Sequence, residues 1–289
     1  MIGSILIPSF INGLMIGCVY ALIALGLTLI FGIMKIINFA HGSLLMIAMY
    51  CSFWLFDLFR LDPYLSLLIN IPLFFVIGML IQKLVINPVI EGPHYIQILV
   101  TVGLMLLLEN GALMVFKRDI RSITIFYQKW VLTLGDVNIG FTKVAASILA
   151  LALTVLLFFI LKYTKLGKAV RATSQNKMGA SLVGIPIQSI YLLTFGIGTA
   201  CVGAAGAMMI PHYTVDPYIG LSFVLIAFMT VVMGGMESFS GVLLSGIVIG
   251  VVESIGAIFM PGSTKTVLVF VIFILVLLFS PLRKIKEQA

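Results

Sequence analysis

Long apolar runs separated by short polar breaks extend along almost the whole chain. Most runs hold about 20 residues, the length that an α-helix needs to cross the hydrocarbon core of a bilayer. The apolar residues are continuous rather than alternating, which argues against a transmembrane β-barrel. The pattern predicts an all-α, polytopic transmembrane helical bundle of about nine spans (eight to ten). The predicted spans are 5–33, 36–56, 64–86, 95–116, 143–161, 189–210, 221–235, 239–260 and 264–282.

The composition supports a membrane protein. Of 289 residues, 62% are hydrophobic and only 9% are charged. A soluble protein of this size needs far more polar residues on its surface, so a soluble enzyme and a disordered chain are excluded. The formal net charge of +7 does not indicate nucleic acid, because Lys and Arg collect in the cytoplasmic loops of membrane proteins. No spacing of Cys, His or acidic residues indicates a metal site or a disulfide.

Two polar segments define the predicted topology. The segment 162–188 is rich in Lys and Arg, so we place it in the cytoplasm, and the N-terminus then faces outward. The segment 117–142 becomes an outside loop, although it also carries several basic residues. Within it, residues 130–134 and 137–140 flank a Gly-Asp pair, which is consistent with either a β-hairpin or an irregular loop on the membrane surface.

The two halves of the chain contain a weak internal repeat. The sequence at 22–32 resembles that at 225–235, and each copy leads through a polar break into a similar start, at 39–45 and 239–244. Glycine-interrupted segments in matching positions are the best sequence indication of a transport pathway. We therefore expect Gly234 and Gly235 to lie near such a pathway.

Polar residues inside predicted spans are functional candidates, because they are costly in lipid. Asn38 and His41 follow the first span; they either belong to a cytoplasmic turn or form a helix break that lines the pathway or contacts a partner. Glu109 lies about two thirds along the fourth span, where it lines a polar cavity, pairs with a basic residue of another helix, or hydrogen-bonds a neighbouring helix. Glu253 lies late in the eighth span, near the outer interface.

The basic segment also predicts a short helix. Ser174 or Asn176 is suited to cap a helix over 176–183, Gly184 to end it, and Pro186 to stop its continuation. Such a helix would expose apolar side chains to a groove on another protein, or would rest on anionic lipid.

Here the chain resembles a known family. Residues 171–185 are similar to the coupling loop of ABC-importer permeases, of the form R-A-x-x-Q-N-x-E-A-A-x-x-x-G-I. The strings Y-A-L-I-A-L-G-L-T at 20–28 and N-F-A-H-G at 38–42 resemble permeases of the branched-chain amino acid type. Met178 replaces the usual Glu of the loop, which puts the detail of docking in doubt.

The resemblance implies one transmembrane permease domain over residues 1–289, in a bacterial or archaeal cytoplasmic membrane. It implies a homologous second permease subunit, expected to form a heterodimer, two cytoplasmic ATP-binding subunits and an extracytoplasmic solute-binding protein. No G-x-x-x-x-G-K-[ST] loop occurs, so energy must come from a partner or an ion gradient. The resemblance implies that ATP with Mg²⁺ binds the partner ATPases and that this chain holds no cofactor. Residues expected to couple the chain to the ATPases are Arg171, Gln175, Met178, Gly179, Ala180, Leu182 and Gly184. Residues expected along the pathway are Asn38, His41, Glu109, Glu253, Gly234 and Gly235.

The substrate expected from the resemblance is leucine, isoleucine or valine. Permeases for urea, short amides or other amino acids are the closest alternatives. Two further alternatives are an ion-coupled secondary transporter with Glu109 as its ion site, and a channel-like or signalling membrane protein. Enzymatic activity is not expected, since the sequence offers no acid–base or metal constellation.

Overall fold

A computed structural model describes residues 2–134, 137–259, 267–276 and 278. The Gly-Asp turn at 135–136 and the basic tail at 283–286 therefore lie outside the described residues, as does part of the last predicted span. The helices are α1 (Ile2–Met34), α2 (Ala40–Phe59), α3 (Leu67–Ile81), α4 (His94–Phe116), α5 (Phe141–Tyr163), α6 (Lys165–Gln175), α7 (Lys177–Leu182), α8 (Ile187–Met209), α9 (Ile219–Gly234), α10 (Phe239–Phe259) and α11 (Val267–Val276).

The helical bundle predicted from the apolar runs is confirmed. Seven helices in the described part of the chain are long and apolar enough to cross a membrane, namely α1 to α5, α8 and α10, with α3 continuing through a π-helical and a 3₁₀ turn to Val89. The shorter apolar helices α9 and α11 coincide with the seventh and ninth predicted spans. Length alone thus assigns seven spans in the described part of the chain, two fewer than the predicted nine, and α9 and α11 lie at the other two predicted positions.

Helix α1 is the centre of the bundle. It packs against α5, α8, α9 and α10, and its largest interface is with α10. Gly246 and Gly250, four residues apart on α10, face small residues of α1. A Cβ atom at Gly250 would lie 2.5 Å from the carbonyl oxygen of Gly13, so the two backbones touch. Such close approach is what small residues allow between transmembrane helices.

The connection between α1 and α2 does not form a turn at the end of α1. The His41 Nε2 atom lies 2.9 Å from the carbonyl oxygen of Ile23, eleven residues before α1 ends at Met34. At about 1.5 Å per residue, α2 begins about 16 Å back along α1. Residues 35–39 cover this distance as non-helical chain, so the expected span over 36–56 is wrong at its start.

At the end of the bundle away from Met34, the loops between the helices contact one another and form a layer that we call the cap. Strands β1 (Val131–Leu134) and β2 (Val137–Gly140) pair antiparallel, so the predicted β-hairpin is confirmed over the irregular loop. Arg121 and Val215 form an antiparallel bridge, which joins this cap to the segment between α8 and α9. The Tyr64 hydroxyl donates to the carbonyl oxygen of Thr142 at 2.6 Å.

A carboxylate within this cap affects two tyrosines. The Tyr127 hydroxyl donates to Asp62, and the Tyr64 ring lies nearby. Burial and the negative charge of Asp62 raise the pKa of both phenols above their ordinary value. The two hydroxyls therefore stay protonated, as donors of hydrogen bonds, over the physiological range.

Candidate translocation pathway and coupling surface

Asn38 and His41 are fully buried at the start of α2. Asn38 Oδ1 accepts a hydrogen bond of 3.1 Å from the backbone N–H of Ala40, the first residue of α2. The Asn38 Nδ2 and His41 Nδ1 atoms have no hydrogen-bond partner among the residues described. Non-helical backbone at membrane depth occurs only where protein buries it or where it lines a cavity. The break in the helix, one of the two sequence interpretations, is therefore present, and its role in transport stays a prediction.

The Glu109 side chain of α4 contacts α2 near its start, close to Asn38 and His41 in the chain. Ser43 Oγ donates to Glu109 Oε1 at 3.3 Å, and the carboxylate is only 8% exposed. This is the hydrogen bond to a neighbouring helix that the sequence offered as one alternative. A second link is close by, because Thr101 Oγ1 donates to the carbonyl oxygen of Ile37 at 3.0 Å. Helix α4 thus holds both the link and the start of α2.

Glu253 takes part in a buried polar cluster that joins three elements. The Tyr20 hydroxyl of α1 donates to Glu253 Oε2 of α10 at 2.7 Å. It also lies 3.0 Å from the hydroxyl of Tyr213, which follows α8. Sequence analysis missed both tyrosines, because apolar neighbours surround Tyr20 and the partners are far apart in the chain.

Gly234 and Gly235 lie in the tight turn between α9 and α10. A Cβ atom at Gly234 would lie 2.5 Å from backbone atoms of Gly241 and Val242, and Gly235 has φ +91°. Both glycines thus have a structural reason to be there. In the same turn Glu237 pairs with Lys35, which ties the α9–α10 turn to the α1–α2 link.

The six predicted pathway residues therefore form two groups. Asn38, His41, Glu109 and Glu253 all contact α1 or the first turn of α2, at the depth of Tyr20 to Ile23. The glycine pair lies at the far end of α1, beside the Lys35–Glu237 ion pair. Helix α1 connects the two groups, so a displacement of α1 would change both.

The predicted short helix is present as α7. Asn176 Oδ1 accepts from the backbone N–H of Gly179 at 2.8 Å, which confirms one of the two proposed caps. Gly184 has φ +84°, the left-handed conformation expected after a helix end. Ala180 is buried and faces the bundle. The apolar side chains Met178, Leu182 and Val183 are 75%, 82% and 77% exposed, so α7 presents an uncovered apolar surface.

Helix α6 precedes α7 and was not predicted. Its charged residues concealed an amphipathic pattern, in which Val170 and Thr173 are buried and Gln175 is exposed. Ser174 Oγ donates to the carbonyl oxygen of Gly32 on α1 at 2.6 Å, and the Arg171 guanidinium donates to the carbonyl oxygen of Leu161 at the end of α5.

A third attachment holds α7 itself. Lys177 Nζ lies 3.2 Å from Glu91 Oε1, in the connection between α3 and α4. Helices α6 and α7 are thus attached to α1, α5 and the α3–α4 connection, so force applied to α7 reaches the membrane helices.

The amino-acid sequence resembles those of known proteins over nearly its whole length. The family described as "Branched-chain amino acid transport system / permease component" matches residues 9–277. The chain belongs to this family. The permease is 31% identical over 284 residues to the high-affinity branched-chain amino acid transport system permease protein LivH of Escherichia coli, which covers 93% of this chain and 92% of the relative.

Two further relatives come from another bacterium and from an archaeon. BraD of Pseudomonas aeruginosa, a high-affinity branched-chain amino acid transport system permease protein, is 31% identical over 95% of this chain and 94% of its own. A probable LivH permease of Methanocaldococcus jannaschii is 29% identical over 90% of this chain and 86% of its own. No solved structure matches the permease. With relatives from bacteria and an archaeon and seven helices able to cross a bilayer, the permease is a multi-pass protein of the cytoplasmic membrane.

No group of three or more His, Cys, Asp or Glu side chains in the part of the permease that the structure describes is placed to hold a metal ion. The relatives are permease components rather than enzymes.

Proposed function

We propose that the chain is the permease subunit of an ATP-driven importer and forms the pathway for branched-chain amino acids. The observation that carries the proposal is the full-length similarity to permease proteins of high-affinity branched-chain amino acid transport systems. Residues 1–289 act as one permease domain. Permeases for urea, short amides or other amino acids remain the alternative within the same mechanism.

In this mechanism the chain itself holds no cofactor. ATP and Mg²⁺ bind to two cytoplasmic ATPase subunits, a second, homologous permease completes a heterodimer, and an external solute-binding protein delivers the substrate. The exposed apolar surface of α7 supports the ATPase contact, because water-exposed Leu182 and Val183 gain by docking into a groove.

Movement of α7 then has a route to the pathway. The Ser174–Gly32 and Lys177–Glu91 contacts connect the α6–α7 segment to α1 and to the α3–α4 connection. Helix α1 carries the contacts to His41 and Glu253 at mid-depth. Closure of the ATPases would thus shift α1 and switch the access of Asn38, His41 and Glu109 from one side of the membrane to the other.

Two variants on α7 test the docking. Leu182→Glu places a charge in the apolar surface; loss of one fully buried leucine is worth about 1.5–3 kcal/mol, or roughly 10- to 100-fold in ATPase affinity. Met178→Glu adds the same charge on the same helix, at the position where related loops carry Glu, and serves as the matched control. We expect Leu182→Glu to lose the co-purified ATPase and leucine uptake, and Met178→Glu to keep both.

The energy source separates this proposal from an ion-coupled transporter. Proteoliposomes with the complete set of subunits should take up leucine only with ATP inside and solute-binding protein outside. Uptake by this chain alone, driven by a proton or sodium gradient, would refute the proposal and favour Glu109 as an ion site. Equal ATPase retention by the Leu182→Glu and wild-type proteins would refute the docking assignment.

A further inference from the structure

A cavity of about 350 Å³ lies beside α1, outside the groups assigned to the pathway. Its walls are α1, the end of α5, helix α6 and the turn that leads into α10. The rings of Phe158 on α5 and Phe239 on α10 lie 5.7 Å apart and connect two of these walls. Leu25 and Ile33 mark its extent along α1, eight residues or about 12 Å.

Polar groups are found almost entirely at one end of this cavity. Lys162, Arg171 and Glu237 line the end near Ile33, in or next to the segments that we assign to the cytoplasm. Toward Leu25 the walls are aliphatic or aromatic, apart from Thr28, whose hydroxyl already donates to the carbonyl oxygen of Ala24 at 2.9 Å. The part of the cavity toward Leu25 therefore has no free hydrogen-bonding group and presents apolar surface to a ligand.

The charges at the end near Ile33 favour an anion. Glu237 is paired with Lys35, whereas Lys162 forms no ion pair in the described part of the chain and lies 5.2 Å from the centre of the Phe158 ring. Arg171 donates to backbone carbonyls of Leu161 and Lys162 and keeps further N–H groups for a ligand. Two cations thus remain beside one neutralised carboxylate.

We propose that this cavity binds an anionic phospholipid of the cytoplasmic leaflet, with one acyl chain along α1 and its phosphate between Lys162 and Arg171. Lining residues that spread over about 12 Å of α1 leave room for an apolar chain longer than the side chain of one amino acid. Basic pockets between transmembrane helices on the cytoplasmic side are typical sites for such head groups. The inference rests on the orientation proposed above and not on the substrate.

Bound lipid would contact the route from the ATPases to the pathway. Arg171 and Ser174 belong to α6, and Gly32, which accepts the Ser174 hydrogen bond, lies on α1 in the same cavity wall. A lipid seated there stabilises the contact between α6 and α1. We therefore expect anionic lipid to increase uptake at constant ATPase activity.

Retention of phosphatidylglycerol is the direct test. The full-length chain and its co-expressed subunits are placed in nanodiscs of phosphatidylglycerol and phosphatidylethanolamine and then purified. Native mass spectrometry measures how much lipid stays tightly bound. Lys162→Gln should lower retained phosphatidylglycerol about fivefold, the effect of one cation near a lipid surface. Lys165→Gln removes another exposed charge, one that does not line the cavity, and should keep the lipid.

A second pair of variants changes the volume alone. A Cβ atom at Gly32 meets only the carbonyl oxygen of Met236, at 3.9 Å, so Gly32→Phe has room to enter the cavity and should displace the lipid. Gly32→Ala controls for the loss of glycine and should keep it. Equal retention by Lys162→Gln, Lys165→Gln and wild type would overturn the proposal, as would displacement of the lipid by millimolar leucine. The lipid result stands or falls independently of which solute is imported.

Discussion

The crossing of α2 and α9 gives the sharpest prediction. Gly42 on α2 lies against Gly220 at the start of α9: a Cβ atom at Gly42 would be 2.1 Å from the Gly220 carbonyl oxygen and 2.7 Å from the Cβ atom of Val224. Ordinary contacts are longer than 3.4 Å, so Gly42→Ala requires the helices to separate by roughly 1 Å or more. Backbone atoms cannot rotate away, so the variant should lose about 1–3 kcal/mol through overpacking.

A matched variant separates this contact from the intrinsic preference of a helix for alanine. Gly103 on α4 has nothing within 4 Å of an added Cβ atom, so Gly103→Ala should gain up to about 1 kcal/mol of helix propensity. The two variants should differ by about 1–4 kcal/mol, or roughly 2–7 °C in the unfolding midpoint of the purified protein. Equal midpoints for Gly42→Ala and Gly103→Ala, measured by fluorescence-detected unfolding in detergent, would contradict the close crossing of α2 and α9.

Three further outcomes are expected. Tyr20→Phe removes the hydroxyl that donates to Glu253 and should lower the unfolding midpoint, at a cost of about 1.5–3 kcal/mol, whereas Tyr50→Phe, a buried hydroxyl without a partner in the described chain, should change it little. Glu109→Gln keeps an acceptor for α2 and should preserve ATP-driven uptake; loss of uptake would favour an ion site. Burial lowers the pKa of His212 from 6.5 to about 4. As the pH falls, the unfolded chain therefore binds this proton before the folded chain does, and the free energy of unfolding should fall between pH 6.5 and 4. His212→Gln should reduce that pH dependence in unfolding scans.

The apolar pattern predicts the helices well because each span is long and continuous. It cannot place the start of α2, since Ile36, Ile37 and Phe39 are as apolar as a span, and only the contact of His41 with Ile23 reveals the non-helical link. Helix ends are easier to predict from the local sequence. The N-cap at Asn176 and the helix end at Gly184 both follow from short-range backbone chemistry, and both are present in the structure.

At the candidate site, the sequence does not predict contacts between residues that are far apart in the chain. Glu253 stands out as a carboxylate in an apolar span, but its partner Tyr20 is 233 residues away and carries no local signal. In α6, the apolar positions that face the bundle are masked by the surrounding lysines, so only the folded chain identifies them as one amphipathic face. Residues that stand out by charge were thus found, while their neutral partners were missed.

The non-helical link at 35–39 also constrains biosynthesis. Without α1, the buried amide of Asn38 and imidazole of His41 would face lipid, where unpaired polar groups are costly. Helix α2 therefore reaches its final depth only when α1 is already in the bilayer and offers the Ile23 carbonyl. We therefore expect the first two helices to leave the insertion machinery as a pair, and α2 inserted alone to adopt a shallower position.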